Sequence, residues 1–130
     1  MNVILPEGWP RPRGYANGVV AQGRMLFIAG MIGWDAQGVF RSDDFAVQVR
    51  QALQNVADVL REAGGKPENI VRMTWYVTDK REYLAASKEV GLAFREIIGS
   101  FNAAMTAVEV KALIEDRAKV EIEATAVLQD

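Results

Sequence analysis

The chain has 130 residues, a length for one domain, and half of them are apolar, so a sizeable core is expected. Fifteen Lys and Arg stand against 17 Asp and Glu, and the net charge of −2 makes a poor polyanion binder. Histidine and cysteine are absent, which excludes Ser-His-Asp and Cys-His nucleophiles, histidine acid–base chemistry, thiolate zinc sites and disulfides.

Any catalysis therefore uses carboxylates, hydroxyls, Lys, Arg, backbone groups or bound water. The apolar start of the chain, up to Leu5, is too short for the core of an export signal. The uncharged stretch from Met25 to Trp34 is about half of the ~20 residues a membrane helix needs. The expectation is a soluble cytoplasmic protein with neither a membrane nor a nucleic-acid partner.

Pro6, Gly8, Pro10, Pro12 and Gly14 break up residues 1–14, which are expected to form an irregular lead lying on the body through Trp9. Residues 18–21 read as a short strand and 25–30 as a second, joined in a hairpin by a turn in which Gly23 supplies a positive φ. Met25-Leu26-Phe27-Ile28 is apolar at consecutive positions, so both faces of that strand are expected to be covered. Asp35-Ala36-Gln37-Gly38 is another turn.

Ser42-Asp43-Asp44 starts a helix. Ala46, Val49, Leu53, Val56, Leu60 and Ala63 form its apolar stripe, with Gln48 among the polar residues off it, and Gly64-Gly65 ends it. Residues 70–78 alternate as a strand, with Val71, Met73, Trp75 and Val77 on one face. Asp79 caps a second helix over 80–98, striped by Tyr83, Ala86, Val90, Ala93, Phe94 and Ile97 and stopped by Gly99. Residues 104–110 and 118–128 are the last strands, with the charged connection 111–117 between them.

The order β-β-α-β-α-β-β makes an α+β domain with two helices on one face of a mixed sheet. Its other face stays bare in a monomer, and an apolar bare face implies a partner. An oligomer is expected.

Glu121 and Glu123 are two apart on a strand and share a face. Buried between subunits, one carboxylate would suit general acid–base work; the plainer reading is a solvated pair. Tyr15 has a hydrogen-bonding role at a cleft or simply packs. Gly30 permits close backbone approach or makes a turn. Met105 reads by itself as packing. Gly14 to Gly18 lacks the Lys and Ser/Thr of a phosphate loop, and the Asp43-Asp44 pair fits a helix start better than a metal.

Several segments, in order from about Tyr15 to Val127, resemble the Rid/YjgF family of reactive intermediate deaminases, also known as endoribonuclease L-PSP proteins. They are Gly14-Tyr15-Ala16-Asn17-Gly18-Val19, Leu26-Phe27-Ile28-Ala29-Gly30-Met31-Ile32, Gln51-Ala52-Leu53-Gln54-Asn55-Val56, Val71 through Asp79, Val108-Glu109-Val110 and Val120-Glu121-Ile122-Glu123-Ala124.

The resemblance implies a chorismate-mutase-like protomer over residues 1–130, a homotrimer, and small-molecule clefts between subunits. It implies hydrolysis of enamines and imines, such as 2-aminoacrylate, with no metal or organic cofactor. Tyr15 matches the cleft tyrosine, Gly30 the strand-end glycine lining the pocket, and Glu121 the glutamate beside the hydrolytic water.

Met105 stands where the family has the arginine that clamps the substrate carboxylate, and a thioether cannot form that pair. Met31 and Gly33 replace the family's Gln and Pro. The expected activity is hydrolysis of an imine or enamine other than 2-aminoacrylate. Tyr15 and Glu121 would act on the substrate and water, and backbone near Met105 and Ala107 would hold them. Gly30 and Met31 would line the pocket, and Arg13 or Arg72 would meet any carboxylate. The alternative is a non-catalytic trimer that binds a small metabolite; ribonuclease activity has little support in the acidic balance.

Overall fold

A computed structural model describes residues 1–99 and 102–129. Its strands are β1 (Asn2–Ile4), β2 (Gly18–Val20), β3 (Arg24–Ile32), β4 (Ile70–Val77), β5 (Ala104–Glu109) and β6 (Val120–Leu128). Its helices are α1 (Phe45–Glu62), α2 (Lys80–Ala85) and α3 (Ser87–Ile97), with a 3-10 turn at Pro67–Asn69. The main sheet runs β3-β6-β4-β5, and β1 and β2 form a separate ribbon. β6 is antiparallel to both neighbours, while β5 is parallel to β4. The α+β class and the mixed sheet are as expected.

The expected hairpin does not form. β2 pairs with β1, and β3 pairs with β6. The turn is packed against the end of β6: at Gly23, φ +150°, a Cβ would lie 2.7 Å from the Leu128 carbonyl oxygen. That contact aligns β3 with a nine-residue partner instead of the three-residue β2. The lead is accordingly not irregular throughout, since Asn2–Ile4 is a strand. Trp9 is exposed rather than packed. The segment is tied down further along, where Ala16 N donates to Ala103 O at 2.8 Å beside the free edge of β5.

Asp44 is the N-cap of α1 and accepts from Val47 N, while Gly64 at φ +82° turns the chain out of the helix. Val49, Leu53, Val56 and Leu60 are buried as expected; Ala46 and Ala63 at the ends of the stripe are not. Gln48, expected off the stripe, is buried. Its amide donates to Ser42 O and Arg117 O, each at 3.0 Å, and accepts from Lys119 N at 2.9 Å. A buried amide with its donors and acceptor satisfied is a clamp between a helix start and a loop.

The second helix breaks at Ala86, which caps α2 and opens α3. Tyr83 from one piece and Phe94 from the other both meet Trp75, with ring centroids 6.2 Å away in each case. In β4 a bulge between Ile70 and Arg72 gives Ile70 the core position expected for Val71, which is only half-buried. The core fills the space between the helices and one sheet face. Arg72, Thr74, Tyr76, Glu121, Glu123 and Thr125 alternate onto the other face. There Met25 and Phe27 are 57% and 72% exposed.

Candidate active site

β5 is an edge strand, and α2 and α3 cover its inner face only in part. A groove of about 810 Å³ is left between them. Met105 and Ala107 line it from β5, Trp75 from β4, and Tyr83, Val90 and Phe94 from the helices. It is open at Gly91, where a Cβ would meet nothing within 4 Å. Arg13, Tyr15 and Arg95, all exposed, stand at its rim. Among the described residues that line it, none is acidic. Among the described residues neither Arg13 nor Arg95 has an ion-pair partner. Desolvation raises the pKa of the Tyr83 hydroxyl above its ordinary value of 10.0.

The second group of candidate residues lies elsewhere. The Glu121 carboxylate lies against the space above Gly30, where a Cβ would collide with its Oε2 and lie 2.7 Å from its Cδ. Gly30 thus makes room for Glu121, and the pair forms one unit. Beside it, Tyr76 Oη donates to Glu123 Oε1 at 2.8 Å. That bond, with the neighbouring carboxylate charges, raises the Tyr76 pKa above 10.0. Among the described residues the Glu121 carboxylate has no hydrogen-bond partner. Arg72 lines a small depression on this same face with Phe27 and Glu123.

One protomer therefore brings together Arg13, Tyr15, Met105 and Ala107, and separately Gly30 and Glu121. It does not join the two groups. Glu121 is two strands from Met105, roughly 10 Å across the sheet at ordinary strand spacing, lies further along as well because Met105 is level with Ala124, and points from the opposite face. Met31 belongs to neither group and packs against the core. Sequence reasoning missed Arg95. The available signal was its spacing of four from Gly91, which places a small residue and a cation on one face of α3. Trp75 and Phe94 lie on apolar stripes in the sequence, a pattern that does not distinguish core from groove wall. Among the described residues no three acidic side chains converge to hold a metal ion.

Helices against one face of a mixed sheet, with a groove at its parallel edge and a bare opposite face, define a chorismate-mutase-like protomer of the Rid type. The family model described as Endoribonuclease L-PSP matches residues 10–128. A RutC family protein of Pyrococcus horikoshii is 35% identical over 125 residues, 95% of either chain. The 2-iminobutanoate/2-iminopropanoate deaminase of Salmonella typhimurium is 34% identical over 125 residues, again 95% of each. The crystal structure of the Rid protein YyfB from Yersinia pestis superimposes with a TM-score of 0.81 at 34% identity, covering 98% of both chains. The chain belongs to the Rid/YjgF, or endoribonuclease L-PSP, family.

Proposed function

We propose that this protein hydrolyses an imine, or the enamine in equilibrium with it, to a carbonyl compound and ammonia in a cleft completed by a second copy of the chain. The observation that carries the reading is the division of the candidate residues. An apolar groove with Tyr15 at its rim occupies one face of the sheet, and Glu121 with Gly30 occupies the other, beside the exposed Met25 and Phe27. A homotrimer that buries the bare faces would carry the Glu121 of one copy to the groove of the next. The Salmonella relative, a deaminase of small imino acids, supports the reaction class.

In that cleft the imine carbon is attacked by water. Glu121 takes a proton from the attacking water and passes it to the imine nitrogen as the carbon–oxygen bond forms, giving the carbinolamine. Glu121 then takes the hydroxyl proton and returns one to the amine nitrogen as the carbon–nitrogen bond breaks, so that the carbonyl forms and ammonia leaves. An enamine enters the same path after protonation at its terminal carbon. Tyr15 Oη donates to the substrate at the rim, and the backbone at Met105 and Ala107 positions it. The family's clamp arginine is replaced by Met105, so 2-aminoacrylate, with no apolar body to fill the groove, is not the preferred substrate.

The test is ammonia release over a panel of imines generated in situ by an amino-acid oxidase. Turnover of apolar members is expected, and Glu121→Gln should lower it by about 10²–10⁴-fold. Tight binding of panel members with no ammonia released would replace this reading by a non-catalytic binding protein of the same fold.

A further inference from the structure

The groove is larger than a three-carbon imino acid needs and falls in the range that encloses drug-sized ligands, about 300–1,000 Å³. Its walls are aromatic and aliphatic: Trp75, Tyr83, Val90, Phe94 and Met105. Among the described residues that line it, the charged ones are the two rim arginines, Arg13 and Arg95, with no carboxylate beside them. Both guanidinium groups lack an ion-pair partner among the described residues, whereas the nearby Arg50 is committed to Glu96 at 2.8 Å.

An apolar trough with two free cations at its mouth is complementary to a molecule with an apolar body and a carboxylate at one end.

We infer that the substrate is a 2-imino acid with a large, aromatic side chain, held by its carboxylate on Arg13 and Arg95 with the side chain lying between β5 and α3. For its reacting end this rests on the hydrolase reading above. The placement explains Met105, whose thioether is a soft floor for an aromatic ring where the family's arginine would have to be desolvated beneath it. It sets the C=N group, one bond from the carboxylate, next to Tyr15 at the exposed mouth. That mouth is the place a second copy's Glu121 can approach. Arg72, on the opposite sheet face beside Glu123, takes no part.

The experiment is calorimetric titration with unreactive probes: 3-phenylpropanoate, its neutral amide, and propanoate. The aromatic acid is expected to bind at least about tenfold tighter than either the amide or propanoate. Arg95→Gln and Arg13→Gln should each weaken the acid about tenfold, leave the amide unchanged and preserve the oligomer, while Arg72→Gln changes nothing. Equal binding of acid and amide, equal binding of propanoate, or weakening by Arg72→Gln alone overturns the inference. The two proposals fail separately. Binding as expected without ammonia release from the phenylalanine-derived imine removes the hydrolase reading and keeps this one. Ammonia release that favours neutral imines keeps the hydrolase reading and removes this one.

Discussion

Gly30 and Glu121 show how one missing methyl group serves a carboxylate. A Cβ at Gly30 would strike the far end of a flexible side chain and no backbone atom among its nearest neighbours. Gly30→Ala is therefore expected to leave thermal stability within about 1 kcal/mol of the parent. It should nonetheless displace the Glu121 carboxylate and cut ammonia release at least tenfold, a split that paired melting and activity measurements would reveal.

Tyr76 gives a pH test on the same face. Its bond to Glu123 keeps the phenol protonated above the ordinary 10.0. A proton held more tightly in the folded state stabilises the fold fully below the unfolded tyrosine pKa, and that contribution is lost as pH rises through the folded value. Absorbance titration near 295 nm should show one tyrosine moving down toward 10.0 in Glu123→Gln. An unmoved titration would mean that the bond is absent in solution.

Glu121, Gly30, Tyr15 and Met105 stand out as candidates in the sequence because each sits in a short run that resembles the family. Their distance apart across the sheet is not legible there. It depends on β5 and β6 lying on opposite sides of β4, which no local pattern reports.

At the scale of elements, the apolar stripes located the helices and the alternation located the strands. The failures lie where one long-range contact overrides local pattern. The turn at Gly23 packs on Leu128 and sends β3 to β6. A single bulge exchanges Val71 for Ile70 in the core. Gln48 looks like a surface residue but is buried, because its partners Ser42, Arg117 and Lys119 come from segments 6, 69 and 71 residues away.

Gly33 is the companion of Gln48. A Cβ at position 33 would lie 2.6 Å from Gln48 Cβ and 2.8 Å from its Cα. Here backbone must move, unlike at Gly30. Gly33→Ala is expected to destabilise the fold by about 1–3 kcal/mol in urea unfolding with no change in slope. A neutral result would show that the start of α1 is free to shift.

For the whole molecule, the informative feature is the face that the helices leave uncovered. Phe27, 72% exposed in the protomer, contributes nothing to the core there, so Phe27→Glu should fold normally. A charge placed at an apolar contact between copies should disperse the assembly. Sedimentation equilibrium is expected to give a trimer for the parent and a monomer for the variant, and a monomeric parent would remove the shared cleft.

The central claim is that one copy supplies the groove and another the carboxylate. Mixed assemblies test it most directly. Gly91→Phe places a ring in the open groove without meeting any neighbouring atom at its Cβ, and Glu121→Gln removes the base. Each variant alone should be inactive. When the two are unfolded together and refolded as mixed trimers, ammonia release should return, because some clefts then pair an intact groove with an intact Glu121. Mixed trimers that form and stay inactive would contradict the account.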